Sequence, residues 1–71
     1  MELFHAILTE HALEQLVGRG IEEAAVPAVL KVPLEVLQVR AGRVVAQALI
    51  GGYLLRVFVD IDRDPPEVVT A

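Results

Sequence analysis

The sequence predicts an α+β domain in which two short N-terminal helices pack on one face of an antiparallel β-meander of three to four strands. Three observations carry this. Apolar residues at helical spacing are confined to the first half of the chain. From Leu34 onward the pattern turns to β-branched and alternating residues. Turn signals at Ala41-Gly42, Gly51-Gly52 and Asp64-Pro65-Pro66 then cut that second half into strand lengths. Helices first and sheet second gives a two-layer arrangement. A chain of 71 residues has room for a single domain, residues 1–71.

Taken in order, residues 3–8 are apolar apart from His5 and read as a short first strand or an extended lead-in. Thr9 offers an N-cap whose hydroxyl accepts from free first-turn amides, and Glu10 stands at the positive end of the helix dipole. The first helix is expected over residues 10–17, with Leu13, Leu16 and Val17 as its apolar stripe. Gly18 or Gly20 can supply the left-handed residue that ends it. A second helix follows Ile21, opened by Glu22-Glu23 and carrying Ala25, Val26, Val29 and Leu30. Pro27 makes it short or kinked, and Pro33 ends it by Val32.

A two-residue turn at Gly51-Gly52 fixes the register of its hairpin. It sets Ile50 against Tyr53, Ala48 against Leu55, Ala46 against Val57 and Val44 against Val59. All eight are apolar, so this face is expected to meet the helices, with Ala46 and Ala48 leaving room for close approach. The other face pairs Leu49 with Leu54, Gln47 with Arg56, Val45 with Phe58 and Arg43 with Asp60. Applying the same rule to Ala41-Gly42 puts Arg40 beside Arg43, Gln38 beside Val45, Val36 beside Gln47 and Leu34 beside Leu49. A bulge there would shift this register, because alanine is a poor occupant of a positive φ.

Composition narrows the function classes. With 55% hydrophobic residues the chain holds more apolar material than so small a core encloses, which points to a homo-oligomer, most simply a dimer. The absence of cysteine removes disulfides and thiolate metal sites. The longest apolar run, residues 44–55, is interrupted by Gln47 and a Gly-Gly turn and is too short to span a bilayer, so no membrane segment is expected. Glu2 and His5 stand where a signal peptide would carry positive charge, which makes a cytoplasmic location the expectation. A net charge of −4 opposes non-specific nucleic-acid binding; five arginines against one lysine suit planar anion recognition or buried pairing, and a compositional habit is the commoner cause of such a bias.

The second sheet face gathers Arg40, Arg43, Gln47, Arg56 and Phe58. It reads either as a dimer interface or as an anion or RNA surface, with arginines on phosphate and Phe58 stacked on a base. Tyr53 belongs to the opposite face, leaving stacking mainly to Phe58. No metal and no cofactor is expected: His5 and His11 lack the i, i+4 spacing of a helical zinc pair. Asp60, Asp62 and Asp64 lack the glycine and glutamate of a calcium loop and read as an acidic turn. His11 in the first helical turn is a candidate general base, and a packed helix-start histidine is the commoner outcome. The only hydroxyls are Thr9, Tyr53 and Thr70, and no nucleophile with its base and orienting acid can be assembled from them.

The strings HALEQLVGRGI at residues 11–21, VLKVP at 29–33, Gly42-Arg43, YLLRVFVD at 53–60 and VVT at 68–70 occur in a fixed order. Together they resemble a family of small domains of unknown function related by fold to the RelE/ParE-type toxins of bacterial toxin–antitoxin systems. The resemblance implies two helices on an antiparallel sheet. It also implies a toxin-like activity on RNA or the ribosome, as an mRNA endoribonuclease or an inactive relative, and an antitoxin-like protein as partner. The recurrent polar positions of the family fall here on His11, Arg19, Arg43 and Thr70, with Arg56 an addition. Toxins of this group are usually basic and continue past the VVT strand into a basic, aromatic tail, so the acidic charge and the end at Ala71 are departures that weaken an active-nuclease reading: either the tail is missing from this sequence or the protein is a degenerate, inactive member.

Overall fold

The structure, a computed structural model, describes residues 3 and 5–71; Phe4, part of the expected lead-in, lies outside them with Met1 and Glu2. The order of elements is β1 (Ile7–Leu8), α1 (Glu10–Arg19), α2 (Ala25–Lys31), β2 (Glu35–Arg40), β3 (Arg43–Ile50), β4 (Tyr53–Asp60) and β5 (Glu67–Thr70). They build an α+β fold with both helices on one five-stranded sheet, ordered β1-β5-β4-β3-β2. The meander expected from the turns is β2 to β5. To it β1 adds a parallel pairing with β5, Ile7 to Glu67 and Leu8 to Val68, so the sheet is mixed. A parallel neighbour needs a long crossover, and every element between β1 and β5 supplies one.

Local chemistry explains the helix ends. The Thr9 hydroxyl accepts from the Ala12 amide at 3.1 Å and donates to the Val68 carbonyl at 2.9 Å, capping α1 and pinning it to β5 at once. At the other end Gly20, with φ 68°, turns left-handed and its neighbour Ile21 donates to the Leu16 carbonyl. Gly20 rather than Gly18 takes that role, so α1 runs to Arg19 instead of stopping at Val17. Pro27 is the third residue of α2, where its missing N–H is one no helical carbonyl would have used, and the helix is short but regular.

The β3–β4 hairpin has the register read from the sequence, all eight pairs from Ile50–Tyr53 to Arg43–Asp60. The β2–β3 register does not. Arg40 opposes Arg43, but a bulge at Val39 then moves Gln38 to Val44, Leu37 to Val45, Val36 to Ala46 and Glu35 to Gln47. An extra residue in one strand exchanges its two faces beyond that point. Val36 and Gln38 therefore lie on the helix side of the sheet, and Glu35 and Leu37 on the other. Gly42, with φ 80°, occupies the position that needs positive φ, and Ala41 is spared it.

Leu16 from α1 and Val26, Val29 and Leu30 from α2 close on Ala46, Val57, Val59 and Val68. As expected, Ala46 lets α2 come close, and it is fully buried. Tyr53 is the exception on this face: it sits at the turn, 76% exposed, beyond the reach of the helices. No helix among the described residues is long and apolar enough to cross a membrane.

Candidate functional site

The open face of the sheet divides into rows that run across the strands. One row is polar: Arg56 donates through Nε to the Gln47 amide oxygen at 3.1 Å, and Gln47 donates to Glu35 at 2.8 Å. The next is apolar, Leu37, Val45 and Phe58, tight enough that Val45 is 2% exposed although no helix covers it. A third holds Arg43, which grips Asp60 with Nε at 2.6 Å and a second nitrogen at 3.2 Å, while Arg40 stands 3.7 Å from the same carboxylate. Arg40, Arg43, Gln47, Arg56 and Phe58 thus do share a face. They do not form one cationic surface, because a single carboxylate holds two of the three arginines.

The Arg43–Asp60 pair is half-enclosed: Asp60 is 7% exposed. The hydrogen bond from the Arg43 guanidinium holds the Asp60 carboxyl below its ordinary range, against burial that pushes it up, with Arg43, Arg40 and Arg63 adding attraction. The same bond raises Arg43. Because folding lowers this pKa, the unfolded chain binds more protons as the medium is acidified. The pair's stabilisation is complete above the ordinary carboxylate pKa of about 3.9 and fades as pH falls through the lower folded value. Urea midpoints followed downward from about pH 6 are expected to fall less steeply for Asp60→Asn than for the unsubstituted chain, and parallel curves would remove this linkage.

A different site lies where β5 stops pairing. β5 meets β4 only at Phe58, Val59 and Asp60, so residues 53–57 of β4, paired with β3 on one side, have no strand on the other among the described residues. An open cleft of about 970 Å³ wraps that uncovered edge, its far wall the end of α1 and the loop into α2. Ile21, Ala25, Ile50 and Leu55 give it apolar lining. Arg19, Tyr53, Arg56, Phe58 and Thr70 give it chemistry, with Glu22 the carboxylate among its lining residues.

Each of these side chains is placed by an identifiable contact. Arg19, in the last turn of α1, donates to the Ala71 carbonyl, which ties the helix end to the end of β5. Thr70 donates its hydroxyl to the Gln15 side-chain oxygen. Arg56, which lines the cleft, is steadied through Nε by Gln47, and its two terminal guanidinium nitrogens are not used in that bond. Tyr53 and Phe58 lie on opposite faces of β4, yet both line the cleft, because it passes around the strand's edge rather than over one face.

Of the five positions carried by the resemblance, the structure brings Arg19, Arg56 and Thr70 together. His11 is exposed in the first turn of α1, about 12 Å along the axis from Arg19, and Arg43 is held by Asp60 in another row. Neither lines the cleft. Tyr53 was expected on the face opposite the arginines and Arg19 was assigned to no face, so their lining one cleft with Arg56 was missed; the signal was the length of the VVT strand, half that of its neighbour. Among the described residues no cluster of three or more metal-ligating groups occurs. No family model matches the chain, and it matches neither a curated protein nor a solved structure, so what the cleft does has to be argued from its own residues.

Proposed function

We propose that the chain is a small toxin-type protein, RelE/ParE-like in fold, that acts on RNA or the ribosome by binding a single-stranded RNA segment in the Arg19–Arg56 cleft. One observation carries this reading: two arginines and two aromatic rings line a single groove around an uncovered strand edge. That pairing of groups suits single strands, whose phosphates take the guanidinium forks while unstacked bases lie on aromatic rings. A negative overall charge weakens the long-range attraction of such a surface, and leaves affinity to these local contacts.

The cleft is better furnished for binding than for acid–base chemistry, its titratable side chains besides the two arginines being Glu22 and Tyr53, with no histidine among them. His11, the candidate base, is at the far end of α1, and the threonine hydroxyl donates to Gln15. The protein therefore occludes RNA rather than cleaving it, in the manner of a non-catalytic relative of the toxins. On expression in a bacterial host it is expected to arrest growth, and Arg56→Ala, which removes a cleft cation from an exposed strand position, is expected to relieve the arrest with the fold retained. Normal growth with well-folded, abundant unsubstituted protein would sink the proposal.

A further inference from the structure

We propose that β2 is a self-pairing edge: a second copy of the chain adds to it antiparallel, with the two-fold axis passing through Leu37. The inference is independent of the cleft, to which β2 contributes no residue.

β2 is the outer strand of the sheet and every one of its residues is exposed. The helices stop short of it, α2 packing on β3 and β4 and α1 on β5. Its outer row of amides and carbonyls is thus free of any neighbouring strand among the described residues. Edge strands are ordinarily guarded by inserted lysine or proline or by a covering segment. Here the strand reads Glu-Val-Leu-Gln-Val-Arg, with neither residue inside it and with apolar side chains on both faces.

The bulge at Val39, itself a common guard, has a second consequence that names the partner. Measured along β3, Glu35 stands opposite Gln47, Leu37 opposite Val45 and Arg40 opposite Arg43. Glu35 and Arg40 are therefore each two ladder steps from Leu37, on either side of it and on the same sheet face. Without the extra residue Arg40 would point to the other face. A two-fold axis through Leu37, perpendicular to the sheet, then sets Leu37 against the second copy's Leu37 and Val36 against its Gln38. It also sets Glu35 against the second copy's Arg40, and this last pair is formed twice. Opposite charges directly across an antiparallel ladder stabilise it and like charges oppose it. The sequence of the edge is complementary to itself in this one register.

A ladder of about six residues buries less than the roughly 1,200 Å² of a standard interface, so the dimer is weak and is to be sought from about 10 µM to about 1 mM. Sedimentation equilibrium over that range is expected to show a monomer–dimer equilibrium. Leu37→Lys, which sets two like charges on the axis, is expected to raise the dissociation constant about tenfold or more, with circular dichroism unchanged. Glu35→Arg and Arg40→Glu should each weaken association by a similar factor, and the two together should restore it. A chain that stays monomeric at about 1 mM, a folded Leu37→Lys variant that associates as tightly as the unsubstituted chain, or a double variant no better than the singles would each overturn the proposal.

Discussion

Leu16→Ala is expected to lower the unfolding free energy by about 2–5 kcal/mol, the range for truncating a buried leucine whose surroundings do not collapse. Leu16 is 2% exposed and is the larger of the two side chains that α1 commits to the core; Ala12 is the other. It belongs to a buried cluster in which valine is the commonest residue, and valines have few rotamers with which to fill a void. For a chain of this length total stability is about 4–11 kcal/mol, so the substitution removes much of it. Urea unfolding should show a lower midpoint with an unchanged slope, and Leu16→Met, which keeps the volume, should cost less than about 1.5 kcal/mol. A Leu16→Ala midpoint equal to that of the unsubstituted chain would mean that α1 is not part of the cooperative core.

The second large effect is on binding. Replacing Arg19 and Arg56 together by Ala is expected to weaken single-stranded RNA binding about 30- to 150-fold, the loss of two charge-assisted contacts each of about 1–1.5 kcal/mol. Two phosphate contacts give a slope of about −1.4 for the logarithm of affinity against the logarithm of salt concentration, and the double variant should lose most of it. Arg40→Ala, on the far side of the Asp60 carboxylate from the cleft residues, should leave both affinity and slope unchanged. Equal losses from Arg40→Ala and from the double variant would show that binding follows overall charge instead of the cleft.

How much of this was legible beforehand depended on whether the deciding contact was local. The β3–β4 register followed from Gly51-Gly52 and strict alternation, since a two-residue turn leaves the strands no other pairing that keeps the apolar residues together. Thr9 and the glycine after α1 were likewise readable, because caps act within one helical turn. The β2–β3 register was misjudged for a comparable reason: Ala41 signalled an awkward turn, but the strain is relieved by a bulge at Val39, two residues away. That single insertion moves Val36 and Gln38 from one face to the other.

The site was harder to see. Arg40, Arg43, Gln47, Arg56 and Phe58 do fall on one face, as alternation requires. Alternation says nothing of which arginine is neutralised, and Asp60 holds Arg43 and stands beside Arg40 while leaving Arg56 apart. Arg19 is 37 residues from Arg56 in sequence. It reaches the same groove only because α1 is pinned to β5 at Thr9 and again at Ala71, contacts with no periodic signature. Nor could the parallel β1–β5 pair be inferred, two residues being too few for a pattern.

The most direct test of the cleft as the binding site is a heteronuclear NMR titration of the isotope-labelled chain with a short single-stranded RNA. Shift changes are expected to concentrate at Arg19, Ile21, residues 53–58 and Thr70, with His11 and the Arg40–Arg43 turn silent. Changes centred on Arg40, Arg43 and Asp60, or a spectrum unmoved by saturating RNA, would contradict the account.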